Sequence, residues 1–339
     1  MSVVPVASFT PPSPGELAPL FPGYLIHGLI ASGGMGSVYL ATQTALDRKV
    51  AIKILPQELV SDESFRTSFA TEAKAMGRLN HPNLVAVHDS GEAGELLFTV
   101  MEYLPRGSMY DAVHGQQVDP AAAAEIVTGI CAGLAHAHDR GILHRDIKPS
   151  NILFNEENQP KLADFGLARA VGRQHEVGET IYGTPHYTAP EVTRPPYRPQ
   201  TGADVFSLGV ILYELLTGKL PHADPRPASA ISGCDPRFDA IIARATNPSP
   251  ALRYASAREL AADLETILKA SSSRKPAQLR TSPAPSSALS TPSFAKRTGR
   301  NTPRKFSSAS QGPPIATIVI VVLILLAIVL LIAMTSSSQ

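Results

Sequence analysis

The chain has 339 residues, 44% of them hydrophobic, and 30 Lys+Arg against 29 Asp+Glu give a formal net charge of +1. That length holds one large or two modest domains with a sizeable core. The charge is uneven, since the eight basic side chains of 270–314 meet no acid there, 315–339 are uncharged, and 1–269 are left at −7. An acidic body argues against general nucleic-acid binding by it. The two cysteines, Cys131 and Cys234, have neither zinc nor redox spacing and suit a cytosolic setting.

Residues 1–22 are proline-rich, with no basic leader and no continuous apolar run, so they read as a disordered arm and not as a signal peptide. One domain follows over 23–269. Its first half reads as strands: "YLIHGLI" and "SVYLATQ" flank a glycine-rich run, then come "KVAIKIL" and, later, "LLFTVMEYL". The run "IASGGMGSVYL", residues 30–40, is either a loop whose backbone N–H groups close over phosphates or a turn between two strands. In the phosphate-loop pattern G-x-G-x-x-G-x-V, Gly33, Gly36 and Val38 fill the last three fixed positions, but the first is Ala31.

In "SFRTSFATEAKAMGRL", Phe65, Phe69, Met76 and Leu79 form a helical apolar stripe that carries Glu72 inward. An inward carboxylate calls for a cation. The nearest strand-borne one is Lys53, on the same side of its strand as Ala51. The plain alternative is a half-exposed acid and a snorkelling lysine.

The second half reads as helical. "AAAAEIVTGICAGLAHAHDRG" spaces Ile126, Ile130 and Leu134 four apart and stops at Gly141. "ADVFSLGVILYELLTG" puts Val205, Leu208, Leu212 and Leu215 on one face before Gly218. A strand-rich half followed by a helix-rich half predicts an α+β chain of two lobes.

Between those helices, "HRDIKPSN" places His144, Arg145, Asp146, Lys148 and Asn151 close together, and "ADFGLA" adds Asp164. Phosphoryl transfer to a hydroxyl needs a carboxylate for that hydroxyl, cations over the phosphate and oxygen ligands for magnesium. Asp146 suits the first task, Lys148 the second, and Asn151 with Asp164 the third. His136, His138 and His144 share no spacing with a carboxylate or cysteine and read as local hydrogen-bonding groups, not a metal set.

The C-terminal part begins with a Ser/Pro-rich basic stretch over 270–314, read as a disordered tether. The uncharged "IATIVIVVLILLAIVLLIAM", 315–334, is expected to be a transmembrane helix, since 20 residues at 1.5 Å each span about 30 Å. A short tail, 335–339, ends the chain. Basic residues before the span place the domain on the cytoplasmic side of the cell membrane, next to anionic lipid.

In their order, V-A-I-K, H-R-D-I-K-P-S-N, D-F-G and A-P-E resemble the eukaryotic-like (Hanks-type) serine/threonine protein kinases, and "SGGMGSVYLA" resembles their bacterial membrane-anchored branch. The resemblance covers about 24–268. It implies the two-lobed protein kinase fold, with one key helix in the small lobe, and ATP and Mg2+ as cofactors. It implies that Ile30, Val38, Ala51 and Leu153 sandwich adenine, that Glu102 and Leu104 bond its edge through their backbone, and that Met101 is the gatekeeper. Ala31, Gly33, Gly34 and Gly36 match the phosphate loop. Lys53 matches the lysine on the α- and β-phosphates, paired to Glu72.

The same resemblance implies an activation loop ordered by phosphorylation, with Arg145 receiving the phosphate, Thr180 carrying it and Tyr182 as the nearby alternative. Thr184 matches the residue that contacts the Asp146–Lys148 pair, and with Lys148 implies serine/threonine specificity. Glu191 is implied to pair with Arg253, and Asp204 to brace the catalytic loop. Departures from the family pattern are Ala31, Thr188 and a short stretch over 221–238.

The expected function is therefore an ATP-dependent serine/threonine protein kinase in signal transduction, membrane-tethered, acting on protein substrates and on its own activation loop. Membrane lipid is an expected partner, nucleic acid is not, and a transient homodimer would serve autophosphorylation. The span has no small-xxx-small pair for dimerisation. The alternative is a pseudokinase scaffold, against which stands the presence of Lys53, Glu72, Asp146, Asn151 and Asp164 together. A small-molecule kinase is disfavoured by the complete G-T-x-x-Y-x-A-P-E stretch.

Overall fold

The computed structural model describes residues 10–33, 36–55, 63–165, 186–193 and 200–273. All lie in the first of two compact units, 1–278 and 279–339. The expectations for Gly34, Thr180, Tyr182, Thr184, 1–9 of the arm, 274–314 of the tether and the 315–334 span fall outside the described residues; the expected start of the tether at 270 is corrected, since the last described helix runs to Ser273.

The small lobe is an antiparallel sheet of β1 (Tyr24–Gly33), β2 (Gly36–Gln43), β3 (Arg48–Ile54), β4 (Val87–Ala93) and β5 (Leu96–Glu102), ordered β1-β2-β3-β5-β4. Alternation in β3 explains the layering. Val50, Ile52 and Ile54 are 0% exposed on one face, while Ala51 and Lys53 turn to the other. Helix α2 (Glu63–Met76) packs beside β4 and buries Phe65, Phe69 and Met76, as its stripe predicts.

The first face of β3 is covered by a segment expected to be disordered. Residues 10–22 form α1 (Pro14–Leu17) and a 3-10 turn (Ala18–Leu20). Ser13 and Glu16 close a capping box at its start, and Pro14 sits where its missing N–H costs nothing. Leu17 is 0% and Phe21 3% exposed, clustered with Tyr39, Ala41, Val50, Ile52, Ile54 and Val100. Phe21 meets Phe98 edge-on at 5.0 Å, and the Tyr39 hydroxyl donates to Pro12 O at 2.6 Å. The expected boundary at residue 23 is thus corrected for 10–22. Proline content suggested an open chain, but two apolar residues anchor it where the sheet needs a cover.

The large lobe contains α3 (Met109–Val113), α4 (Pro120–His138), the hairpin of β6 (Ile152–Phe154) and β7 (Pro160–Leu162), α5 (Thr201–Thr217), α6 (Ala228–Ser232), α7 (Arg237–Ala245) and α8 (Ala257–Ser273). Asp119 caps α4 by accepting from Ala121 and Ala122 N–H groups, and Gly218 ends α5 in the left-handed region at φ 69°. Helix α5 is the centre of this core. The single apolar face expected for it is too narrow, because Val210, Ile211, Tyr213 and Leu216 are buried as well, with α4, α7 and α8 packed around it.

Helix α4 is long and apolar enough to cross a membrane by composition, yet Ala124, Val127, Ile130 and Leu134 are core residues at 0–1% exposure. Cys131 on the same helix is fully buried, and burial pushes its thiol pKa up, so it behaves as a packed apolar group.

Replacing Leu17 by Ala is expected to cost about 2–5 kcal/mol of folding stability, the range for deleting a fully buried leucine side chain. Denaturant unfolding of the full chain measures it. A loss below about 0.5 kcal/mol would show that 10–22 does not belong to the core.

Candidate active site

The catalytic loop is built from one carboxylate outward. Asp204 on α5 is 1% exposed. Its Oδ1 accepts the Arg145 N–H at 2.8 Å, and its Oδ2 accepts the His144 N–H at 2.9 Å. His138 Nε2 lies 2.8 Å from the same Oδ2. Burial works against ionisation of Asp204, but its hydrogen bond with His138 and the nearby imidazoles hold its pKa below the ordinary value. The loop it holds is strained, since Arg145 sits at φ 69°.

His144 is 0% exposed and joins two ends of the site. Its Nδ1 accepts the Asp146 N–H at 3.2 Å, which leaves Nε2 as the donor to Ala163 O at 2.8 Å. Burial lowers the His144 pKa, against the pull of Asp204, so the ring is held neutral. Its ring also lies 4.5 Å from that of Phe165.

Asp146 therefore projects from a backbone fixed on both sides. Lys148 Nζ is 2.7 Å from its Oδ2, and Asn151 Nδ2 donates to Asp146 O at 2.8 Å and to Oδ2 at 3.2 Å. The structure thus brings together three of the predicted residues. Because Asn151 commits its amide nitrogen to Asp146, its remaining side-chain atom is a hard oxygen, the donor type that Mg2+ takes.

Asp164 follows at φ 57°, and Lys53 Nζ contacts its Oδ1 at 2.8 Å. Burial opposes ionisation of Asp164, but the Lys53 ammonium outweighs it and the pKa stays below the ordinary carboxylate value. An ionised Asp164 and the Asn151 oxygen form a donor set that fits a hard divalent cation. The ion pair expected between Lys53 and Glu72 is corrected: the carboxylate on Lys53 is that of Asp164. Glu72 and Lys53 do line one cavity of about 40 Å³ together with Asp164, Phe165 and Met101. Asp164 sits in a left-handed turn beside the lysine, a conformation that spacing along α2 cannot reveal.

An apolar cluster lies beside this polar end. Ala51, Met101, Leu104, Val85 and Ala163 pack with Val38 and Leu153, so the predicted adenine-facing residues come together from β2, β3, β5 and β6. Ile30 stands apart. It is 47% exposed and lies at the register shift of β1 between Leu29 and Ala31.

Strand β1 continues through Ala31, opposite Val38, to Gly33, opposite Gly36. Gly33 and Gly36 are thus paired at the end of the β1–β2 hairpin. Gly36 needs to be glycine for packing, since it sits at φ +117° and a Cβ there would lie 2.1 Å from Ile54 O. A Cβ on Gly33 meets nothing within 4 Å among the described residues.

Two expected braces are present. Arg253, 4% exposed, holds Glu191 through Nη1–Oε1 at 2.6 Å and Nη2–Oε2 at 2.7 Å, and its Nε donates to Asn247 O at 2.6 Å. Arg145 Nε is buried with no hydrogen-bond partner among the described residues. Sequence reasoning missed His138, whose partner lies 66 positions away, and Tyr187, whose hydroxyl donates to Glu214 Oε2 at 2.6 Å. No local pattern marks either. The rings of the three histidines considered for a metal meet different groups: His138 meets Asp204, His144 meets the Asp146 N–H and Ala163 O, and His136 lies beside His81 at 5.2 Å.

Comparison with known proteins adds the following. The protein kinase domain family matches residues 24–281. Serine/threonine-protein kinase PknL of Mycobacterium tuberculosis is 41% identical over 271 residues, 75% of this chain and 68% of that protein. Serine/threonine-protein kinase PknB of Mycobacterium leprae is 38% identical over 263 residues, 71% of this chain and 42% of that protein. The crystal structure of the Mycobacterium tuberculosis PknI kinase domain matches with a TM-score of 0.59 at 28% identity, over 72% of this chain and 96% of that one.

The hairpin geometry separates its glycines. Gly36→Ala is expected to raise the KM for ATP at least about tenfold and to lower the Tm, whereas Gly33→Ala stays within about threefold of the parent, under 1 kcal/mol. Steady-state kinetics and thermal melts of both variants check this. Equal effects at the two positions would contradict the packing argument.

Proposed function

The chain belongs to the protein kinase family and is a serine/threonine protein kinase, and we propose that it is tethered to the cytoplasmic face of a membrane and phosphorylates its own activation loop. The observation that carries transfer is the Asp146 carboxylate, held on Lys148 and Asn151 and fixed through its backbone by His144. In this reading a substrate seryl or threonyl hydroxyl gives its proton to Asp146 as its oxygen bonds to the γ-phosphorus, and the bond from that phosphorus to the ADP oxygen breaks. Lys148, beside Asp146, offsets negative charge on the phosphoryl oxygens. Lys53 holds the α- and β-phosphates, and the backbone of Glu102 and Leu104 takes the adenine edge between Val38, Ala51 and Leu153, with Met101 as gatekeeper.

Asn151 and Asp164 would hold Mg2+, which supplies charge neutralisation at the phosphates when bound. Nothing supports a scaffold without transfer, as Lys53, Asp146, Asn151 and Asp164 are in place. The regulatory part of the reading is supported by Arg145, whose buried Nε has no hydrogen-bond partner among the described residues and suits a phosphate on Thr180. The membrane part is supported by the basic 270–314 stretch and the uncharged 315–334 run.

Purified full-length protein with ATP, Mg2+ and a basic protein substrate is expected to transfer phosphate to serine and threonine and to label Thr180. Asp146→Asn should lower transfer at least about a thousandfold while keeping ATP affinity within about threefold. Near-parent turnover by that variant would remove the assigned role. The protein should also pellet with membranes, and recovery in the soluble fraction would contradict the tether.

A further inference from the structure

The stretch 221–238, a departure from the family pattern, opens with an imidazole that takes no part in phosphate transfer. His222 and His186 are both exposed, yet their rings stack at a centroid distance of 4.1 Å and an interplanar angle of 7°. A stack open to water adds little to folding beyond the modest worth of a ring pair. Its fixed geometry comes from the backbones that carry it.

Both backbones are held. On the His222 side, the Ala223 and Asp224 N–H groups donate to Leu220 O at 3.0 and 3.2 Å. Asp224 accepts from Arg226 Nε and Nη2 at 2.8 and 2.7 Å and from Lys219 Nζ at 3.1 Å, and these bonds hold its pKa below the ordinary carboxylate value. The Tyr213 hydroxyl on α5 lies against the Asp224 and Arg226 carbonyls. On the His186 side, Ser207 Oγ donates to Tyr187 O at 2.8 Å. Ser207 stands one turn along α5 from Asp204, so the same helix fixes this end of the stack and the loop that carries Asp146. The local charge is positive. Residues 219–227 hold Lys219 and Arg226 against one carboxylate, Asp224, while Glu214 and Glu191 are committed to Tyr187 and Arg253.

We propose that His186 and His222 form a docking step for an acidic side chain of the protein substrate, near the hydroxyl that is phosphorylated. The proposal rests on the protein kinase reading of the site. An imidazole always has at least one N–H to donate and gains a second on protonation. Two parallel rings offer such donors side by side, and a carboxylate has two oxygens to receive them. A basic side chain would meet the positive surplus of Lys219 and Arg226. An apolar one would strip water from the imidazole nitrogens and replace none of its bonds. Asp or Glu is selected by attraction and by the exclusion of these rivals. Ser207 and Asp204 are about 4.5 Å apart along the helix, and an extended peptide rises about 3.3 Å per residue. The acidic residue therefore sits within about three positions of the acceptor.

The test uses the full-length protein and serine peptides that carry Glu, Ala or Lys at one position within about three residues of the serine. For at least one position, the parent is expected to favour the Glu peptide over its Ala counterpart about fivefold or more in kcat/KM. His222→Phe and His186→Phe keep a ring to stack but lose its N–H donors, and the Glu-to-Ala ratio should fall to within about twofold of unity. His222→Arg keeps a planar donor and should hold the ratio at about the parent value or above. A parent that treats Glu and Ala peptides alike at every position would overturn the proposal. So would a preference for Lys, or a Glu preference that persists in both Phe variants, since the stack would then be structural only. Peptide binding without nucleotide separates this proposal from the reading beneath it. By fluorescence anisotropy the parent should bind the labelled Glu peptide at least about threefold tighter than the Ala peptide, and His222→Phe should bind the two alike. Equal binding of both peptides by the parent would overturn the proposal whether or not the parent transfers phosphate. Should His222→Phe fail to fold, His186→Phe carries the same test.

Discussion

The buried Asp204 carboxylate is the fixed point of this molecule. A charge at 1% exposure is tolerated only when donors surround it, and here two are backbone amides of consecutive residues, His144 and Arg145. Each charge-assisted bond is worth about 1.5–3 kcal/mol, enough to offset the roughly 1–3 kcal/mol of strain at Arg145. With both amides held, the following residue, Asp146, has little freedom left. The large helical lobe thus serves the chemistry through α5: the buried helix delivers one anion to the loop, and the loop holds another, Asp146, beside Lys148 and Asn151.

The small lobe reaches the same point by a different route. Lys53 comes from the middle of β3, a strand buried on one face by Leu17 and Phe21 and fixed on its edges by β2 and β5. It meets Asp164 at 2.8 Å, and Asp164 is tied back to the catalytic loop through Ala163, whose carbonyl accepts from His144 and whose N–H donates to Asn151 O. The path from sheet to catalytic carboxylate therefore runs through few contacts. The N-terminal segment matters to it, because without a cover the apolar face of β3 would meet water.

Much of this was legible in the sequence because its periodicity has a direct physical meaning. Alternation in "VAIK" turns Ala51 and Lys53 to one side, and the four-residue spacing of Phe65 and Phe69 buries both. The motif residues Asp146, Lys148 and Asn151 are neighbours in the chain and became neighbours in space. What was not legible depends on backbone conformation or on distant partners. Asp164, in a left-handed turn, is the carboxylate that Lys53 meets, and no side-chain spacing encodes that turn. His138 and Asp204 are 66 positions apart, and their contact arises only when α4 and α5 pack. Residues 10–22 were misread because proline richness outweighed two apolar anchors whose value appears only against a partner surface. The glycine pattern reads as a phosphate cradle from the sequence, but the packing need for glycine at position 36 comes from Ile54 O on β3, which no local pattern reveals.

The claim that a single buried carboxylate sets the catalytic loop is tested most directly with Asp204→Asn. The amide keeps the size of the side chain, but its NH2 group cannot accept from the backbone N–H it would face, and the charge is gone. Measured on folded full-length protein, phosphate transfer should fall at least about a hundredfold while the Kd for ATP stays within about threefold, since no part of Asp204 reaches the nucleotide site. Transfer within threefold of the parent, in a variant whose circular dichroism shows the fold intact, would contradict the account.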